Sequence, residues 1–170
     1  MTSPKSLLDE FLEGWAYTRE GVTNEVTNFP DKAMSFRPTP ANRSVAELVL
    51  HIVESGLMMS GELSRSDGSF RRQSYAAFLK EYAAPAGSRT KAGLIKLLRE
   101  THARGEKKIR AAGEVHMLQQ IVQFNGEKAT RVSWMHHGIA HEEYHRGQLA
   151  LYARLTGQVP ALTKLIMGES

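Results

Sequence analysis

The residues in this chain best suited to chemistry are its histidines. Near the C-terminal end the sequence reads Trp134-Met-His136-His137-Gly-Ile-Ala-His141-Glu-Glu-Tyr-His145-Arg-Gly-Gln148-Leu149. At about 3.6 residues per helical turn, Trp134, His137, His141, His145, Leu149 and Tyr152 fall along one stripe. Large apolar residues begin and end that stripe, so it is expected to face a core. Three imidazoles then stand where leucines normally would. Burying such rings without partners costs about 1–3 kcal/mol each, and a shared metal ion is one explanation for several at once. Histidines four apart project from one face and can converge on a single ion. The outer pair of the three lie about 12 Å apart along the axis, so either His137 and His141 or His141 and His145 form the pair. His141 belongs to both.

A pair needs a third ligand from elsewhere. His51, flanked by Leu48 and Ile52 on the margin of another apolar face, is the best candidate. Three neutral imidazoles with one open position form the pattern of a catalytic rather than a structural zinc site. Such an ion keeps its double positive charge and can stabilise a bound hydroxide or thiolate. Imidazole also suits nickel, iron and manganese; zinc or nickel is the expected ion. Two further residues sit near the histidines. Glu54, three after His51, could act as a base or orient a ligand; its ordinary alternative is a solvated surface carboxylate. Gln148, three after His145, could hydrogen-bond a substrate; its ordinary alternative is helix packing. Arg146 is one residue round from a ligand and reads as one half of a structural salt bridge.

These residues must be held by helices. Ser3 and Pro4 offer a helix start, and Leu8, Phe11, Leu12, Trp15, Thr18, Val22 and Val26 recur at helical spacing towards Asn28. Residues 29–43 contain Pro30, Pro38 and Pro40 and read as a connector long enough to cross a bundle. Ser44-Val-Ala-Glu47 is a capping box that opens a second long helix to about Leu63. A short helix is expected over Tyr75–Tyr82. A third long helix runs from about Ser88 to Ala112, with Leu94, Leu97, Leu98, Thr101, Gly105 and Ile109 on its inner side and Gly113 closing it. Asn125-Gly126 marks a tight turn, so residues 117–129 are expected to hold a short extended segment or hairpin. The last long helix, from Arg131 to Thr156, is capped by Thr130 and stopped by Gly157 and Pro160. Residues 161–170 form a tail expected to pack through Leu162, Leu165 and Ile166. Four long helices imply an all-α four-helix bundle, a fold that builds metal sites from side chains on facing helices.

Composition fits this picture. The chain has 170 residues, 41% hydrophobic and 24% charged, which suits a single domain over 1–170. It has no cysteine. Disulfides and thiolate ligands are excluded, and any thiol chemistry needs a thiol from outside. The net charge of +4 is spread out rather than clustered, which argues against nucleic acid. No apolar run of membrane-spanning length and no apolar signal core is evident, so no membrane association and a cytoplasmic location are expected.

The capped segment Ser44-Val-Ala-Glu-Leu-Val-Leu-His51, followed much later by His141-Glu-Glu-Tyr-His145-Arg-Gly-Gln-Leu149, resembles the DinB/YfiT-like superfamily of metalloenzymes. Arg37-Pro38, the Asn125-Gly126 turn and Gly157 also fit, and the resemblance spans nearly the whole chain. It implies an up-down-down-up bundle and the metal triad His51, His141 and His145. His137 then belongs to the pocket wall or the surroundings of the ligands. It also implies a homodimer and a small-molecule substrate. Characterised relatives include thiol-dependent transferases and isomerases using bacillithiol, mycothiol or glutathione. The leading expectation is therefore a metal-dependent enzyme of thiol S-transferase type. A metal-dependent hydrolase or metallopeptidase is the alternative, because His141-Glu-Glu-Tyr-His145 matches H-E-x-x-H, in which the glutamate is the base. Its longer continuation fails, with Gln148 and Leu151 where Gly and His are needed. A non-catalytic, stress-associated metal-binding protein is the third expectation.

Overall fold

The computed structural model describes residues 5–86 and 89–168. Four long helices dominate: α1 (Leu7–Asn28), α2 (Val45–Ser64), α4 (Lys91–Ala112) and α6 (Arg131–Leu155). Between them lie a 3-10 turn (Asp31–Ser35), a short α3 (Tyr75–Glu81), one turn of helix α5 (Glu114–Met117) and a hairpin of β1 (Gln120–Val122) and β2 (Lys128–Thr130); α7 (Ala161–Met167) follows the bundle.

The starts of the helices are set by side chains that satisfy free backbone amides. Ser44 and Glu47 form the expected reciprocal cap on α2. For α1 the cap is Ser6, whose hydroxyl accepts from Asp9 N while the Asp9 carboxylate accepts from Ser6 N. The expected start at Ser3 lies outside the described residues. Ser6 has the carboxylate three residues on that a reciprocal cap needs, and Ser3 does not. Thr90 caps α4, two residues beyond the expected Ser88, which also lies outside the described residues. Thr130 caps α6 as expected, and Gly157 follows its end at φ +80°, a conformation that favours glycine. Gln120–Val122 and Lys128–Thr130 pair antiparallel across the Asn125-Gly126 turn.

Two apolar clusters reveal the topology. One joins Val22, Val26 and Phe29 of the end of α1 to Leu48, Val49, Ile52 and Val53 of the start of α2, Leu94 and Leu98 of the start of α4, and Leu149 and Tyr152 of the end of α6. The other joins Leu8, Leu12 and Trp15 to Leu63, Ile109, Val132 and Met135. Helices α1 and α6 therefore run one way and α2 and α4 the other, an up-down-down-up order. Within the bundle α1 packs on α4 and α6, and α2 packs on the same two. Each fully buried leucine, isoleucine or valine in these clusters contributes about 1.5–3 kcal/mol.

Two expectations need correcting. The stripe on α6 does not face inward throughout. His145, Leu149 and Tyr152 are buried, but Trp134 and His141 are half-buried and His137 is exposed. A four-residue step advances the helix by about 400°, so such a row drifts by roughly 40° per step and its first turn swings out of the core. The tail also docks differently. The Glu25 carboxylate, buried in α1, accepts from the amides of Ala161 (3.0 Å) and Leu162 (3.3 Å), and Lys164 donates to Asn28. Leu165 and Ile166 remain exposed. Leu162 is half-buried as expected, and polar contacts rather than Leu165 and Ile166 complete the docking of α7.

Candidate metal centre

His51 projects from the middle of α2 towards His141 and His145 on α6. The Nε2 atoms of His51 and His141 are 3.2 Å apart, and those of His141 and His145 are 3.0 Å apart. One ligand atom from each ring lies within 4.8 Å of the other two. Nitrogens bound to a tetrahedral ion at about 2.0–2.1 Å stand roughly 3.3–3.4 Å from one another, so the spacing fits one shared cation.

Hydrogen bonding alone does not satisfy this cluster. His145 Nδ1 lies 2.7 Å from Gln148 Oε1. The oxygen only accepts, so Nδ1 donates, and the neutral ring presents a lone pair at Nε2. His141 Nε2 faces two neighbouring nitrogens yet carries either one proton or one lone pair, enough for one of them. A cation takes a lone pair from each ring at once. Burial, the largest cause, together with the Arg43 charge and the neighbouring imidazoles, pushes the His51 pKa down to about 4. Burial also lowers His141 and His145. All three rings are thus neutral near pH 7, the state a ligand must have.

The remaining expected residues are placed as follows. Gln148 holds the outer nitrogen of His145, which fixes that ring's tautomer and orientation; this is a different task from the substrate contact expected of it. Glu54 is half-buried, shares a narrow recess with His51, and accepts from the Ala84 amide at 3.3 Å. His137 packs on Trp134 with ring centroids 4.5 Å apart and lies outside the three-ring cluster. Of the two candidate pairs on α6, His141 and His145 are the pair brought to His51. Arg146 is buried and pairs with Glu143 at 3.1 Å.

A cavity of about 320 Å³ opens beside His51 and His141. Its walls are mainly apolar: Met58 and Met59 from α2, Tyr75 from α3, Phe124 from the hairpin turn and Trp134 from α6, with His137 at the margin. The short elements between the long helices thus supply two of the aromatic walls.

The Glu142 carboxylate, next in sequence to His141, lies in the core. It accepts from Arg19 Nε (2.8 Å), Arg19 Nη2 (2.5 Å) and Trp15 Nε1 (2.8 Å). Arg19 also donates to Leu98 O at 3.0 Å. Sequence reasoning missed Arg19, although it sits on the turn between Trp15 and Val22 on the inner side of α1. It also missed Arg43, a loop residue just ahead of a helix cap with no pattern to mark it.

The sequence model of the DinB superfamily matches residues 15–149. Several solved structures share the fold. A DinB-like protein from Bacillus subtilis, YjoA, superposes with a TM-score of 0.69 and 19% identity, covering 88% of this chain and 93% of that one. YfiT from Bacillus subtilis, a probable metal-dependent hydrolase with an unusual four-helix bundle topology, gives 0.65 at 15% identity, covering 93% of each. A mycothiol-dependent maleylpyruvate isomerase gives 0.65 at 9% identity over 85% of this chain, which spans 61% of the isomerase. No curated protein matches the chain.

Proposed function

The chain belongs to the DinB superfamily, and from that premise we propose that His51, His141 and His145 hold one divalent ion, zinc or nickel, in a metal-dependent enzyme of thiol S-transferase type. The observation that carries this reading is the convergence of three neutral imidazoles whose mutual contacts no pattern of hydrogen bonds completes. When bound, the ion would supply Lewis acidity that lowers the pKa of a coordinated thiol or water.

The chain's own groups complete the arrangement. Gln148 aims the His145 lone pair. The apolar cavity receives the hydrocarbon part of a small electrophile and excludes water from it. Glu54, in the recess beside His51, accepts the proton that the thiol gives up. The thiol is external, because the chain has no cysteine; bacillithiol, mycothiol and glutathione are the candidates. The same centre with water in place of the thiol gives the second reading, a metal-dependent hydrolase, which the likeness to YfiT favours. The peptidase form of that reading loses its base, since Arg19 and Trp15 occupy the Glu142 carboxylate. Tyr144, Leu151 and Leu155 are exposed on one side of α6 and offer a surface for a homodimer. No helix among the described residues is long and apolar enough to cross a membrane.

Metal analysis of the purified protein should find about one ion per chain, with His51→Ala depleting it and His102→Ala leaving it in place. A screen of electrophiles with the three thiols should then give conjugates only while the ion is bound. Conjugation that survives complete chelation would overturn the transferase reading.

A further inference from the structure

Beyond His145 along α6 lies a second opening, a cleft of about 420 Å³ lined by Asn42, Arg43, Leu48, Gln148 and Tyr152. Unlike the apolar cavity beside His51 and His141, its lining is mostly polar, and no acidic residue contributes to it. Arg43 has a fixed backbone: its carbonyl accepts from the Tyr152 hydroxyl at 3.3 Å, and the next residue is the α2 cap. Its guanidinium makes no ion pair or hydrogen bond with any described residue. The nearest acid in sequence, Glu47, is engaged by the Ser44 amide and by Arg37. Gln148 reaches both places. Its oxygen is on His145, so its amide N–H donors are left for whatever enters the cleft.

Positive charge collects on the Arg43 side of the histidines; of the nearby carboxylates, Glu142 is paired with Arg19 and Glu54 lies in the recess beside His51, outside the cleft's lining. Three neutral imidazoles leave a divalent ion at +2, and Arg43 adds another positive charge. That charge is felt at His51, His141, His145 and Tyr152. Among the described residues no carboxylate joins the cluster. A guanidinium presents a planar fork of donors matched to a carboxylate.

We propose that this cleft is a carboxylate subsite, in which Arg43 and the Gln148 amide hold an acidic group of a small molecule whose reacting end meets the histidine centre. The inference rests on the metal-centre reading and adds to it the charge of one substrate. The carboxylate belongs either to the thiol or to the electrophile.

The test uses zinc-loaded protein and three probes in a calorimetric titration: mercaptosuccinate, 2-mercaptoethanol and succinate. Arg43→Gln should weaken both carboxylate probes by about three- to tenfold and leave 2-mercaptoethanol binding and zinc content unchanged. Arg43→Lys should restore part of the loss, as a point charge without the planar fork. Weakening of mercaptosuccinate alone assigns the carboxylate to the thiol, and weakening of both probes shows that the cleft takes a carboxylate with no thiol attached, as an electrophile would bring it. Equal affinities in wild type and variant overturn the subsite while leaving the zinc centre standing. Loss of zinc from Arg43→Gln also overturns it, by making Arg43 structural. If the wild type takes up no zinc, the metal reading fails, and succinate titrated onto the zinc-free protein decides the subsite: binding weakened by Arg43→Gln supports it, and no difference overturns it.

Discussion

His141 and Glu142 are adjacent on α6, yet they belong to two polar clusters of opposite character. Glu142 turns into the core, where each carboxylate oxygen meets a donor from Arg19 or Trp15 and the charges cancel. His141 turns towards α2, where its single proton or lone pair at Nε2 must serve two neighbouring ring nitrogens. The closed cluster needs nothing from outside; the open one aims three ring nitrogens at a common point. A buried polar group is therefore no sign of function by itself. What separates the two is whether the donors and acceptors balance.

The contrast can be broken most forcefully at Glu142. Glu142→Ala leaves the Arg19 guanidinium buried and uncompensated, and should cost about 3–5 kcal/mol in denaturant unfolding. Replacing both partners, Arg19→Met with Glu142→Leu, should recover most of that loss. If Glu142→Ala instead released the ion without loss of stability, the two clusters would not be separate. His141→Ala is the mirror experiment. It should abolish stoichiometric metal uptake yet change the unfolding free energy of the ion-free protein by only about 1 kcal/mol, as read by metal analysis and denaturant titration.

Gln148→Ala sharpens the comparison at the edge of the open cluster. The ligands stay but His145 loses its orienting partner, so metal affinity should fall about 10- to 100-fold in a chelator competition, with full occupancy at saturating metal. A further test is the effect of pH on the ion-free protein. Burial lowers the folded His51 pKa from 6.5 to about 4. Between those values the unfolded chain takes up the proton more readily than the folded one. The stability held by the neutral ring is complete above about pH 6.5 and is lost as pH falls through 4. Unfolding measured across pH 4–7 should show that slope, and His51→Ala should flatten it.

Much of the scaffold was legible because its signals are local. The Ser44/Glu47 cap, the inner row from Leu94 to Ile109 and the stop at Gly157 depend on residues a few positions apart. Local spacing likewise marked His141 but left His137 and His145 as rival partners, and only the family resemblance chose His145; His51 was legible because it stands beside an apolar face. The Arg19–Glu142 pair was not. Its members are 123 positions apart, and each looks like an ordinary surface charge until the other is placed. The outward swing of His137 was missed because a four-residue repeat only approximates the helix. The part Gln148 plays was half legible: its spacing from His145 marked it as a residue near the site, but as a substrate contact rather than as the partner of the His145 ring.

The parallel run of α2 and α4 has a consequence for how this chain is made. Helices α1 and α2 stand diagonally across the bundle and cannot zip up as a hairpin when they leave the ribosome. Both wait for α4 and then α6, the last long element synthesised, to complete their packing. The nascent chain thus has few local contacts to draw on, and His51 meets His141 only after ninety further residues have been added. Truncation anywhere before α6 should yield no stable subdomain, only an unfinished polypeptide open to proteolysis.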